Sequence, residues 1–180
     1  MGRPAAWKAG SFYTPLPTGT IANSSALTLN ELRLTPIDVP RATRVDQLAV
    51  EVGTAAASGT VRLAIYADTG SSEPGSLLLD TGAVIDASTT GLKTVTVSLA
   101  LAARRYWVGM VNQGAAVSLR AATSASRPGI GVASGNITTA YSNGNGAVCF
   151  YQSSVSGACP STFAVAGTRS QMPLVYLRAA

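Results

Sequence analysis

Two stretches decide the fold of this chain: residues 60–67, which read TVRLAIYA, and residues 92–100, which read LKTVTVSLA. Both alternate apolar with polar residues, most regularly in the second, where threonine and serine separate Val95, Val97 and Leu99. Successive side chains of a β-strand point to opposite faces, so this alternation indicates strands with one buried and one solvated face. Strands of this kind are typical of antiparallel sheets.

Seven further segments have strand-like composition and are separated by turn residues. They are residues 27–34, 44–52, 77–85, 105–112, 117–121, 147–152 and 174–178. The turn signals include Pro36, Pro40 and the run DTGSSEPGS at 68–76. Because no window of about twelve residues carries the i, i+3, i+4, i+7 apolar stripe of a helix, we predict an all-β fold. The strand number and turn spacing predict an antiparallel, jelly-roll-like β-sandwich.

Length and composition indicate a single globular domain and argue against nucleic-acid-binding, membrane and exported proteins. The chain has 180 residues, enough for one domain with a sizeable core, and carries 13 Lys and Arg against 8 Asp and Glu. Apart from the adjacent Arg104 and Arg105, its arginines stand singly beside strands, which suits pairing with carboxylates, so we expect no nucleic-acid partner. No apolar run is long enough to span a bilayer, so we expect no membrane association. Lys8, Gly10 and Pro15 interrupt the N-terminal region, so we also expect no signal peptide.

The residue types needed for most enzymes are missing. The sequence contains no histidine, which removes Ser-His-Asp and Cys-His arrangements and the commonest general base. A glycosidase would need two paired carboxylates, and nothing marks a pair among the acidic residues. Asp68 and Glu73 could offer oxygen ligands, but their spacing matches no calcium loop, and Asp68 suits a turn better. We therefore predict no enzyme, no catalytic residue, no cofactor and no metal.

Two segments interrupt the strand pattern. Residues 1–23, rich in Gly, Pro, Ala and Thr, predict an extended N-terminal arm ahead of a single sandwich domain at 24–180. The candidate docking residues of this arm are Trp7, Phe12, Tyr13 and Pro15. The arm could dock on a neighbouring protein or lie on its own sandwich, and both interpretations remain open.

The second segment, residues 121–146, consists of small and turn-forming residues and predicts a long surface loop. Its candidate outward-facing residues are Ser134, Asn136, Tyr141, Asn143 and Asn145. Such a loop could carry contacts with a partner or serve only to connect two sheets.

Two residue pairs near the strands leave further alternatives. Cys149 and Cys159 could form a disulfide if the chain between them turns back, and two buried thiols are the alternative. Tyr106 and Trp107 are adjacent in a predicted strand and therefore point to opposite faces. We expect one of these rings in the core and the other available for stacking on a sugar or against a subunit.

The order of several of these residues carries a family resemblance. The marks are Tyr13 and Pro15, then Pro40, Arg41 and Thr43, then Arg62, Tyr66 and Asp68, then Pro74 and Gly75, then Tyr106 and Trp107, and finally Pro160, Ser161, Thr162 and Phe163. In this order the chain resembles a small β domain common in structural proteins of tailed bacteriophages, of the minor tail or tail-fibre type. The resemblance extends over nearly the whole chain.

The resemblance implies a non-enzymatic structural protein on the exterior of a virion, made in the host cytoplasm and acting in adhesion or attachment. Capsid decoration, as a cement or head-fibre protein, is the alternative, and a lectin-like carbohydrate-binding module is a third. The expected partners are other virion proteins, a host-surface glycan and further copies of the chain, most simply in a homotrimer.

Overall fold

The computed structural model describes residues 6–15, 21–82, 85–123 and 148–180, which form fourteen strands and, in these ranges, no helix. The strands are β1 (Phe12–Tyr13), β2 (Ile21–Asn23), β3 (Leu32–Asp38), β4 (Thr43–Thr54), β5 (Thr60–Asp68), β6 (Pro74–Asp80), β7 (Ile85–Asp86), β8 (Gly91–Leu101), β9 (Arg105–Gln113), β10 (Ser118–Thr123), β11 (Cys149–Gln152), β12 (Gly167–Arg169), β13 (Gln171–Pro173) and β14 (Tyr176–Ala179). They make two antiparallel sheets packed against each other, so the predicted β-sandwich is confirmed.

The first sheet is organised around β4, which has three partners. β8 pairs with one side of β4, while β14 and then β10 pair with the other side. β1 extends the sheet beyond β14, and β2 and β13 flank β10. Within the described ranges, β8 therefore forms one border of this sheet and β1 the opposite border.

The second sheet is organised around β9, which pairs along its length with both β3 and β5. The strand order is β12-β11-β3-β9-β5-β6, and β7 pairs with the start of β5. Every residue of β9 after Arg105 is buried. Its side chains form a nearly continuous apolar run, as expected of a strand covered on both faces.

Two clusters of apolar side chains cover the faces of β9. The main core lies between the sheets and includes Val45, Leu48 and Val50 from β4, Leu63 and Ile65 from β5, and Val108 and Met110 from β9. A second cluster lies on the outer face of the second sheet, where residues 153–166 fold over it. This covering segment (residues 153–166) contributes Val155, Cys159 and Phe163.

Because of the covering segment, the prediction of one free ring at Tyr106 and Trp107 is wrong. Tyr106 and Trp107 do point to opposite faces, but both are 1% exposed, so the expected free ring is absent. Tyr106 belongs to the main core and Trp107 to the outer cluster. Trp107 is buried because Phe150 and the covering segment lie over it.

The described N-terminal residues pair with strands of the sandwich. β1 pairs with β14 and β2 pairs with β10, so the described part of residues 1–23 lies on the first sheet. The division into an arm at 1–23 and a domain at 24–180 stays a prediction. The predicted strand at 27–34 begins only at Leu32, because Asn30 takes a left-handed turn conformation with a φ of 58°. Pro36, expected in a turn, lies within β3. It is tolerated there because β11 pairs with β3 only as far as Leu34.

The close approach of β3 and β9 gives a test of the fold. A Cβ atom at Gly109 would lie 1.7 Å from the carbonyl oxygen of Arg33, whereas nothing lies within 4 Å of a Cβ at Gly157. We expect Gly109→Ala to lower the free energy of unfolding by about 3 kcal/mol or more, because backbone must shift. Gly157→Ala should change it by less than about 0.5 kcal/mol. Urea denaturation of both variants measures the difference, and equal stabilities would contradict the β3–β9 register.

Candidate functional site

A cleft of about 270 Å³ lies between the N-terminal segment and the end of β3. It is lined by Trp7, Tyr13, Thr14, Pro15, Pro36, Ile37 and Asp38. One wall comes from the segment around β1, in the first sheet, and the other from β3, in the second. This N-terminal cleft therefore lies where the two sheets face each other at a border of the sandwich.

A stacked pair of aromatic rings forms one wall of the N-terminal cleft. The ring centroids of Trp7 and Tyr13 are 4.7 Å apart and their planes differ by 4°. The backbone N–H of Lys8 donates to the hydroxyl oxygen of Tyr13 at 2.6 Å. Gly10, with a φ of 75°, turns the chain and donates its N–H to the carbonyl oxygen of Ala179 at 2.8 Å. The last strand of the chain thus fixes the turn that brings the two rings together.

The other wall ends in an exposed ion pair. Arg105 donates to both carboxylate oxygens of Asp38, from Nε at 2.9 Å and from Nη2 at 3.0 Å. The Asp38 carboxylate raises the pKa of Arg105 above its ordinary value. The Asp38 side chain is 69% exposed, so the pair adds at most about 1 kcal/mol to stability. Its carboxylate oxygens remain within reach of solvent at the rim of the cleft.

Three of the four residues predicted for the arm line this cleft. Trp7 packs against the main core and Pro15 is buried. Phe12 alternates with Tyr13 in β1 and is 39% exposed. The described part of the arm therefore lies on its own sandwich, which was one of the two open interpretations. Docking of these residues on another protein stays a prediction.

The remaining predicted site residues are distributed elsewhere. Cys149 and Cys159 are free thiols in different buried clusters, so the structure contains the alternative to a disulfide. Burial raises the pKa of both thiols to about 12, which leaves them protonated and unreactive at neutral pH. The candidate loop residues Ser134, Asn136, Tyr141, Asn143 and Asn145 lie outside the described residues.

A buried ion network, which was not singled out in the sequence, joins β3 to β12. Glu31 is 2% exposed and accepts hydrogen bonds from Nε of Arg33 at 2.8 Å and Nε of Arg169 at 3.0 Å. The guanidinium of Arg169 also lies 3.7 Å from the ring centroid of Tyr151. Burial alone would raise the pKa of Glu31, but the two arginines outweigh it and hold that pKa below its ordinary value.

A second acidic residue ties the covering segment to the sheet. Asp80 accepts hydrogen bonds from Nη1 of Arg62 at 2.8 Å, from the N–H of Cys159 at 2.9 Å and from the N–H of Gly82 at 3.1 Å. Burial would raise the pKa of Asp80, but these donors together lower it. Arginines also donate hydrogen bonds to Asp38 and Asp46, and Nε of Arg120 lies 3.6 Å from the carboxylate of Glu51. The prediction that the single arginines suit carboxylate pairing is therefore confirmed.

Asp68 has the turn-forming role expected for it and a contact that was not expected. Its Oδ1 accepts the N–H of Gly70 at 2.7 Å, and its Oδ2 accepts Nε1–H of Trp107 at 2.8 Å. In the described ranges no three His, Cys, Asp or Glu side chains are grouped so that they could hold a metal ion. The same ranges contain no helix that could cross a membrane.

Comparison with known proteins leaves the family open: no family model and no curated protein matches this chain. The resemblance to phage structural proteins therefore depends on the residues quoted above. Several of them contact one another in the structure, as Asp68 does Trp107. The hydroxyl of Tyr66 donates to the carbonyl oxygen of Pro160 at 2.8 Å, and its ring meets that of Phe163 edge-on at 5.9 Å.

The stacked rings give a test of how the N-terminal segment is held. We expect Trp7→Ala to lower the free energy of unfolding by about 2 kcal/mol, because it removes a ring that packs on both the core and Tyr13. Phe12→Ala, in the same segment, should cost no more than about 1 kcal/mol. Chemical denaturation followed by fluorescence measures both. Equal, small effects would mean that the segment does not pack on its own sandwich in solution.

The lowered pKa values of Glu31 and Asp80 predict a loss of stability in acid. Because both pKa values are lower in the folded chain, their contribution is full above their ordinary values and disappears as the pH falls through the folded ones. The melting temperature should therefore fall between about pH 5 and pH 2.

Two variants test whether this loss of stability in acid comes from Asp80. Asp80→Asn should be less stable than the native chain at neutral pH, and the difference should shrink in acid, where the native carboxylate is itself protonated. Asp38→Asn removes an exposed carboxylate whose ion pair adds at most about 1 kcal/mol, so it should lower the melting temperature at neutral pH much less than Asp80→Asn does. A constant difference for Asp80→Asn at all pH values would contradict the assignment.

Proposed function

We propose that this chain is a non-enzymatic structural protein on the exterior of a tailed-bacteriophage virion, a minor tail or fibre-type component that acts in adhesion or attachment. The observation that carries the proposal is that residues quoted for the sequence resemblance form hydrogen bonds with one another in the fold. Trp107 binds Asp68, and Tyr66 binds Pro160 in the covering segment. Residues that are far apart in the sequence thus act as one structural unit, which supports a resemblance of fold rather than of isolated motifs.

The proposal of a structural rather than catalytic role is supported by the state of the reactive side chains. The sequence has no histidine, and five of its eight acidic residues pair with arginines. Both thiols are buried with raised pKa values. The arginine-paired carboxylates therefore hold strands together, and the buried thiols are protected from reaction. The polar and aromatic side chains that remain exposed are suited to binding.

The N-terminal cleft is the surface that best suits an adhesive role. Small-ligand sites combine apolar and aromatic walls with a few polar groups that fix orientation. The cleft offers the ring stack of Trp7 and Tyr13 on one side and the Asp38–Arg105 pair at its rim. We propose it as the contact for a host-surface glycan or for a neighbouring virion protein.

Localisation in purified particles tests the proposal. Mass spectrometry of virions should detect the chain, and immunogold labelling should place it on the outside of the tail. Label on the head would instead support capsid decoration. Absence of the chain from purified particles would contradict both forms of the proposal, and a non-structural phage protein in the same preparation is the control for contamination.

A further inference from the structure

Strand β8 has an edge with no partner strand in the described part of the chain. It is eleven residues long, from Gly91 to Leu101, and among those residues it pairs only with β4. The backbone N–H and C=O groups on its other side point away from the sheet. Such an edge is a ready template for pairing with another strand.

The usual protections against edge pairing are nearly absent from β8. Natural edge strands are kept short, carry several charges, contain proline or are twisted away from partners by a β-bulge. β8 contains no proline and one charged residue, Lys93, whose ammonium group donates to the hydroxyl of Thr89 in the same chain. The register with β4 shifts between Val45 and Gln47, yet exposed and half-buried side chains alternate without interruption from Leu92 to Ala100.

The inner face of β8 is incompletely covered. Val95, Val97 and Leu99 pack against the main core but are only half-buried, because β8 is the last strand on this side of the sheet among the residues that the structure describes. On the outer face, Leu92 is 62% exposed. A further strand beside β8 would cover apolar surface on both faces, which favours association.

We propose that β8 pairs with β8 of a second copy of this chain, antiparallel and around a two-fold axis at Thr96. Thr96 is the middle residue of the strand, so this register overlaps all eleven residues. A two-fold axis perpendicular to the sheet keeps each side chain on its own face. Such an axis must lie midway between the two copies of one residue, which then faces itself across the axis. Val95 then lies opposite Val97 of the other copy, and Thr94 lies opposite Ser98.

The same register explains why a second copy suits this edge. On the inner face Val95 meets Val97, and on the outer face Thr96 meets Thr96 and Thr94 meets Ser98, where Thr–Thr and Thr–Ser pairs are favourable. Lys93 shares the inner face and lies opposite Leu99 of the other copy, so no like charges face each other. The two lysines are separated by six residues along the ladder, about 20 Å. Two copies of β8 can therefore pair over their full length in this register, so the edge is suited to self-association.

This contact is independent of where the protein resides. It predicts an assembly with an even number of chains: two copies, or six if the expected three-fold association also forms. In either case, blocking β8 should halve the assembly. A failed localisation in virions would leave this inference unaffected, and a failed β8 contact would leave the localisation unaffected.

Charge repulsion at the axis tests the contact. Thr96 is exposed, and Thr96→Glu would bring two carboxylates directly opposite each other. We expect light scattering or sedimentation at micromolar concentrations to give an even multiple of 18.2 kDa for the native chain and half that mass for Thr96→Glu. Ser156→Glu, an exposed change in the covering segment, should keep the native mass. A monomeric native chain, or an assembly that Thr96→Glu leaves intact, would overturn the proposal.

Cysteine substitution tests the register. Under mild oxidation, Thr96→Cys should form a covalent dimer, because only residue 96 faces itself across the axis, and the two native thiols are buried. Thr94→Cys alone should stay uncrosslinked, whereas a mixture of Thr94→Cys and Ser98→Cys chains should crosslink. Circular dichroism of each variant checks that the sandwich is retained. Crosslinking of Thr94→Cys with itself in preference to Thr96→Cys would contradict the proposed axis.

Discussion

The rest of the structure depends on the burial of strand β9 on both of its faces. The inner face lies in the main core, and the outer face lies under the covering segment. Hydrogen bonds from β9 and its neighbours hold that segment. Nε2 of Gln113 donates to the carbonyl oxygens of Val155 and Gly157, both at 2.9 Å, and Tyr66 reaches Pro160. Because these donors are largely buried, leaving them without partners would be costly, which keeps the segment in place.

Ion pairs supplement this burial in a chain that has few charges. Only 12% of the residues are charged, and six of the described arginines pair with carboxylates, mainly between strands. Glu31 joins β3 to β12, and Asp80 joins β6 to the covering segment. A buried pair contributes little net stability by itself, but removing one partner leaves an uncompensated charge. These carboxylates therefore help to specify which strands meet.

The two borders of the first sheet have different characters, and the proposed functions follow from that difference. At the β1 border, the ring stack and the Asp38–Arg105 pair enclose a cleft suited to a small ligand or a protruding side chain. At the β8 border, a long edge with alternating side chains is suited to a second strand. The proposed self-association uses one border and leaves the other free for the proposed attachment.

The sequence by itself determined most of the long strands and the faces of their side chains, whereas short strands such as β2, β12 and β13 were not predicted. Alternation predicted β5 and β8 almost to the residue and placed Tyr106 and Trp107 on opposite faces, because strand periodicity is a local property. The single arginines correctly indicated carboxylate partners. What covers each face depends on contacts between distant residues, so only the tertiary structure decided that Trp107 lies under the covering segment and that Trp7 lies on its own sandwich. The separation of Cys149 from Cys159 was decided in the same way, because each thiol is buried by residues that are remote from it in the sequence.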